Sequence, residues 1–333
     1  MDLDEALDIR SGGMPRGAAV LVTDEVDASG AWLIAHLLRR ALVSAAEGSD
    51  DADASRRARA GGSSASRPPG RVCLVTAEQP ASHYTRTLAK LGHDARADLA
   101  SGRLVVVDLL SSPPFDADEG ENASEDGDTE IDRDLAPARE LFQTIARALD
   151  SPPTRDAEHS ARDGSPRDAA EPSVPDDVET RQAYVEDVED DSARAAYVVV
   201  VDDVHAALES VRVPARSMTA AVDGLVRSLL SIPTAVVAGA HLDAGGARAA
   251  APGGWLFALN AVADARLDVA ALRTGAARDV HGRVRVTHRT GRLKRGDGET
   301  FTRRRRASAK FRLAETGAHA TRERIQKDAY EYS

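Results

Sequence analysis

Cysteine is almost missing from this chain: among 333 residues only Cys73 is present. A lone thiol excludes an intrachain disulfide, so the fold must rest on an apolar core. Cys73 falls inside the apolar run 71–76, which reads as a strand, and a buried, inert thiol suits a reducing compartment. The nine His residues are scattered without metal-ligand spacing, so no metal and no cofactor are expected. Aromatic residues are only 4% of the chain, too few for a run of base-stacking platforms. No apolar stretch approaches the length of a membrane span, and residues 1–8 are acidic where a targeting peptide would be basic. The expectation is a soluble cytoplasmic protein, with the nucleus also open, and no membrane partner.

Charge is what the chain has in quantity, and it is unevenly placed. The net charge is −11, yet residues 111–191 hold 25 Asp plus Glu against 7 Arg, a net of −18. The remainder holds 36 basic and 29 acidic residues, a net of +7. The acidic part is also rich in Pro, Ser and Gly and cannot bury enough apolar surface to offset the entropy of ordering. A single domain over 1–333 is therefore expected to carry flexible insertions at 47–70, 111–131 and 151–195.

With those set aside, the periodicity predicts strand 18–23, helix 30–46, strand 71–76, helix 81–91, strand 103–108 and helix 133–149. Strand 197–201, helix 215–231 and strand 234–239 follow. Alternation of this kind implies a parallel sheet covered by helices on both faces. Residues 266–272, 283–289 and 310–314 read as shorter half-polar strands, with 279–282 as the turn of an antiparallel hairpin. The expected fold class is α/β: a RecA-like three-layer fold whose mostly parallel sheet ends in antiparallel strands.

Residues 18–38 have the layout of a Walker A element, a buried strand, a polar loop and a helix. A working loop reads G-x-x-x-x-G-K-[ST], in which backbone N–H groups approach the phosphates, Lys neutralises charge and the hydroxyl ligates Mg²⁺. Here only Gly30 keeps its place; Ala31 stands where the Lys would be and Trp32 where the Ser or Thr would be. The strand 197–201 ends in Asp202 and Asp203, where a Walker B strand would present its carboxylate. Either Asp could instead cap the next helix or hydrogen-bond a loop. Glu78, after the second strand, lies where some RecA-like ATPases hold a water-polarising carboxylate; without a phosphate site beside it, it is a relic.

These segments together carry a resemblance. DASGAWLIAHLL at 27–38, VCLVTAEQPASHYTRTLAKLG at 72–92, GRLVVVDLL at 102–110, VVVVDDVHAAL at 198–208 and RDVHGRVRV at 278–286 resemble subunit 6 of the Elongator complex. The insertions and the basic run 303–306 depart from that pattern. The resemblance implies a RecA-like, P-loop-lacking subunit, not an enzyme, that assembles with Elongator subunits 4 and 5 into a ring of six. It also implies association with the Elongator catalytic core, tRNA binding through the ring, and a part in wobble-uridine modification with ATP-dependent release of tRNA. The alternative is an active RecA-like NTPase acting on nucleic acid, which Ala31 and Trp32 oppose.

Two further groups are candidates. Trp32, His83 and Tyr84 are candidate interface residues, although a core role for the pair and a plug of the vacated site by Trp32 are equally simple readings. Arg289, Arg292, Lys294, Arg295, Arg303, Arg304, Arg305 and Arg306 lie in a polar connection, 290–308, that reads as a mobile basic loop suited to phosphate backbone. A localisation run, a solvated face and pairing with the chain's own acidic insertions are the competing readings. Asp279 and His281 are explained by turn chemistry.

Overall fold

A computed structural model of the chain describes residues 17–57, 70–111, 129–151, 197–232, 234–242, 246–272, 280–294, 300–314, 317–322 and 329–332. The parallel strands are β1 (Ala19–Asp24), β2 (Arg71–Thr76), β3 (Leu104–Asp108), β4 (Tyr197–Val201), β5 (Thr234–His241) and β6 (Ala265–Ala271). The antiparallel ones are β7 (Gly282–Lys294), β8 (Thr300–Ala314), β9 (Gly317–Arg322) and β10 (Ala329–Tyr332). The helices are α1 (Ala31–Arg57), α2 (Ala81–Lys90), α3 (Ala95–Ala100), α4 (Glu130–Asp150), α5 (Val204–Ser210), α6 (Met218–Ser231), α7 (Gly246–Ala250) and α8 (Trp255–Val262).

All ten described strands join one sheet in the order β10-β8-β7-β6-β1-β5-β4-β2-β3, with β9 beside β8. From β3 across to β6 every pairing is parallel; from β6 onward every pairing is antiparallel. The strand that begins the Walker A layout and the strand that ends in the Asp pair are not neighbours, because β5 lies between them. The α/β class and the RecA-like order are therefore as the sequence predicts.

Residue chemistry explains the layers. In β4 the valines 198–201 are buried, as β-branched residues of a strand covered on both sides should be. One face packs against α4, α5, α6 and α8, where Leu141, Ile145 and Leu149 recur at helical spacing with at most 1% exposure. The other face packs against α1 and α2 through Leu33, Leu37, Leu38, Tyr84 and Leu88. Val284, Val286, Ala307, Ala309 and Phe311 of the antiparallel strands join that second layer. Thr129 caps α4 by accepting from the Asp132 amide at 3.3 Å, and Asp94 caps α3 by accepting from Arg96 and Ala97.

The expectations that fail do so for identifiable reasons. Residues 47–57, expected in a flexible loop, continue α1, although their Gly, Ser and three Asp are poor helix formers. Residues 130 and 131, expected in an insertion, are the first turn of α4. The rest of the predicted insertions, 58–69, 112–128 and 152–195, lie outside the described residues. The β6–β7 hairpin exists, but Gly282 already pairs with Ala271, so its connection is longer than the four-residue turn predicted at 279–282. The predicted loop 290–308 is mostly strand: β7 runs to Lys294 and β8 begins at Thr300. Helices α3, α5, α7 and α8 and strands β9 and β10 are additional to the predicted elements. No helix among the described residues is long and apolar enough to cross a membrane.

Candidate functional site

The carboxyl ends of neighbouring parallel strands are where an open α/β sheet collects ligand-binding residues. Here four adjacent strands each deliver an ionisable side chain to that end: Asp24 from β1, His241 from β5, Asp202 after β4 and Glu78 after β2. Asp24 and His241 are direct register partners. The Nδ1 of His241 meets Asp24 Oδ1, and its Nε2 meets Glu78 Oε2 at 2.9 Å and Asp203 Oδ2 at 3.9 Å. One imidazole is thus held among three carboxylates. The hydrogen bonds to Asp24 and Glu78 raise His241 from its usual range to about 11, so the ring is a cation at neutral pH. The same contact, above all the hydrogen bond from His241, holds the Glu78 carboxyl below its ordinary range.

The other oxygen of Asp24 accepts the Gly30 amide at 2.5 Å. That amide stands immediately before the first turn of α1, where the positive end of the helix would hold a phosphate in a working P-loop. The chain's own carboxylate satisfies it instead. The loop between them is short and closed on itself, with the Ala28 amide donating to the Glu25 carbonyl at 2.9 Å. Gly30 has no room to spare, since a Cβ there would lie 3.3 Å from both Asp24 Oδ2 and Val22 Cγ1. The depression lined by Val22, Asp24, Gly30, Ala31, Ile34, Glu78, Asp202, Ala240 and His241 leaves no space for a water molecule.

Asp202 and Asp203 both have structural partners. Asp202 accepts from the amides of Ala77 at 2.8 Å, Asp203 at 2.8 Å, Gln79 at 3.0 Å and Glu78 at 3.2 Å, pinning the loop after β2. Burial outweighs these donors and pushes its carboxyl up to about 6. Asp203 caps α5 by accepting from the Ala206 amide at 2.5 Å, and it also accepts from the His241 amide at 3.2 Å. Burial raises its carboxyl as well. Gly239 of β5 lets the β4–α5 connection pass: a Cβ there would fall 1.8 Å from the Asp202 carbonyl oxygen.

Of the predicted residues, Gly30, Ala31, Asp202 and Glu78 line this depression, and Asp203 approaches it through His241. Trp32 does not plug it. Its ring turns toward the antiparallel end of the sheet and packs on Phe311 of β8, with centroids 4.7 Å apart. Trp32→Ala should therefore cost about 2–3 kcal/mol, somewhat less than a fully buried Trp, read as a lowered melting temperature of the free chain. Tyr84, predicted at an interface, is fully buried and belongs to the core. Its Oη has no hydrogen-bonding partner among the described residues, and burial, with the Asp202 charge next, raises its phenol well above the usual range. His83 is half-buried, edge-on to the Tyr84 ring at 5.4 Å; burial, then Arg86, lowers its imidazole.

Asp24 and His241 are the site residues that sequence reasoning missed. A signal was present: read in sheet order, each central parallel strand ends in an ionisable side chain, which only becomes visible once strands separated by over 200 positions are set side by side.

The basic residues lie elsewhere, on strands rather than in a mobile loop. Arg289 donates to the carbonyls of Ala261 at 2.7 Å and Asn260 at 3.1 Å, at the C-terminal end of α8, where a cation is favoured. Arg292 and Lys294 are on β7, and Arg303, Arg304, Arg305 and Arg306 are on β8, while Arg295 lies outside the described residues. The pairing shifts register between Arg289 and Arg292, the mark of a bulge.

Strand order and the placement of the Walker-type segments define an α/β protein of the RecA-like kind. No family model matches the chain, and no curated protein matches it in sequence. Among solved structures it is similar to a KaiC-like protein from the hyperthermophilic archaeon Pyrococcus horikoshii, at 13% identity and a TM-score of 0.47, covering 96% of this chain and 94% of that one.

Proposed function

We propose that this chain is a non-catalytic RecA-like ring subunit. One observation carries the reading: the position a nucleotide would occupy is filled by the chain's own Asp24–His241–Glu78 cluster, with Asp24 on the Gly30 amide. A triphosphate entering here would meet Asp24, Glu78, Asp202 and Asp203 with one imidazolium and no P-loop Lys to balance them. The resemblance to Elongator subunit 6 supplies the finer reading. On it, the chain assembles with subunits 4 and 5 into a heterohexamer that binds tRNA and supports wobble-uridine modification, in the cytoplasm and also the nucleus.

Two measurements test this. Co-expression with subunits 4 and 5 followed by native mass spectrometry should give a ring with two copies of each; a stable monomer that recovers neither would overturn the ring. Calorimetric titration of the free chain with Mg-ATP should give no binding heat. Stoichiometric binding at micromolar affinity would instead favour the active NTPase acting on nucleic acid.

A further inference from the structure

Five large apolar side chains are exposed among the described residues: Val26, Leu99, Leu110, Ile131 and Phe257. An exposed apolar residue standing singly is ordinary, so it is their placement that carries weight. Val26 follows β1 and Leu110 follows β3, both at the carboxyl end of the sheet. Ile131 joins them there. Arg71, the first residue of β2, donates to the Leu149 carbonyl at 2.8 Å, which fixes the end of α4 at the amino end of the sheet and its first turn at the carboxyl end. These three therefore surround the end that holds the Asp24–His241–Glu78 cluster, whereas Leu99, in α3 just before β3, lies at the opposite end.

Each of the three is displayed by backbone that is already fixed. Val26, 84% exposed, is at the tip of a turn closed by the Ala28 amide on the Glu25 carbonyl, with Asp24 and Ala28 buried at its base. Asp108 holds the turn of Leu110 by accepting from the Leu110 and Ser111 amides, both at 3.1 Å. The Thr129 cap holds Ile131, 64% exposed, in the first turn of α4. Ordering beforehand lowers the cost of association, so such residues are suited to anchor a partner. Acids bracket them in sequence, as Glu25-Val26-Asp27 and Glu130-Ile131-Asp132, and Asp108 stands two residues before Leu110. Glu130 and Asp132 pair with Arg216 and Arg139, while Glu25 and Asp27 are exposed on either side of Val26. From β1 to β3 there are four strand spacings, about 19 Å, which fits within the footprint of a standard interface of about 800 Å² per partner.

We propose that the carboxyl end of the sheet is a docking face for a protein partner that offers apolar hollows to Val26, Leu110 and Ile131 within a rim of Lys and Arg. The proposal rests on the ring reading, which supplies the neighbours, and adds the face on which one of them sits. Glu25 and Asp27 steer the basic rim into place, and the aliphatic anchors hold it.

Co-expression of the full chain with subunits 4 and 5, followed by native mass spectrometry over a dilution series, tests this. Val26→Ser with Ile131→Ser should raise the concentration at which the assembly comes apart by about tenfold or more. Both positions are exposed, so the free variant should melt as the unaltered chain does. Glu25→Lys with Asp27→Lys should also weaken assembly, more at about 0.05 M salt than at about 0.5 M, where the attraction is screened. Leu99→Ser, the same chemistry at the other end of the sheet, should change nothing. Assembly indifferent to Val26 and Ile131, or weakened as much by Leu99→Ser, would remove this face and leave the ring reading standing. Failure of the unaltered chain to recover either subunit would overturn both. Self-association of the chain alone through Val26 and Ile131 would make a second copy the occupant and overturn the basic partner.

Discussion

Replacing His241 with Ala is expected to lower the stability of the folded chain by about 2–4 kcal/mol, measured as a lower urea midpoint. Removing one partner of a buried ion pair costs roughly 3–5 kcal/mol because it strands the opposite charge, and the partial exposure of His241 trims that figure. What is stranded here is a group: Asp24, Glu78 and Asp203 would face one another with no cation between them. Asp24→Asn in the same chain should recover part of the loss, since it removes one of the repelling charges; a double variant no better than His241→Ala would contradict this account.

The same cation imposes a pH dependence. His241 is held near 11 in the folded chain against an ordinary 6.5, so its contribution is fully present below about 6.5 and is lost as pH rises through about 11. The intact chain should lose stability steadily from about pH 7 to about pH 10, and His241→Gln should show a flatter profile over that window. Equal slopes in the two proteins would mean that the cluster does not hold the proton.

Gly239→Ala should be more damaging still. The new methyl would sit 1.8 Å from the Asp202 carbonyl oxygen and 2.8 Å from Ile34 Cδ1, and the first of these contacts is with backbone, which cannot rotate away. Strand β5 or the β4–α5 connection must move, at a cost of about 3 kcal/mol or more, and the expected outcome is largely insoluble protein. Gly224→Ala in α6 is the control. Nothing lies within 4 Å of a Cβ there, and Ala should stabilise the helix by roughly 0.5–1 kcal/mol.

Legibility in the sequence followed the strength of the local pattern. Strands β2 and β4 begin and end where the apolar runs 71–76 and 197–201 do, because a fully buried strand leaves an unbroken β-branched signature. Helix α8, WLFALNAV, was invisible because an apolar run of eight residues has no polar face to set its period. The ribbon was misread for the opposite reason: Thr, Arg and Gly in alternation resemble a loop, although one face of an antiparallel strand tolerates Arg in water. At the site, the missing Lys and hydroxyl were plain from residues 30–32, while a cap was one of the readings left open for Asp202 and Asp203. What fills the space instead was hidden, because Asp24 and His241 are neighbours only through the pairing of β1 with β5.

That pairing also sets a timetable for biosynthesis. β1 lies near the beginning of the chain, yet Ala19 pairs with Val236, 217 residues later, and Val20 with Ala265, 245 residues later. At synthesis rates of about 5–20 residues per second, its two neighbours follow it by roughly 10–50 s. During that interval β1 has neither of its partner strands, so its apolar side chains stay uncovered on the nascent chain. A ribosome-associated chaperone would find its task there, well before the basic ribbon or the strands beyond it have been made.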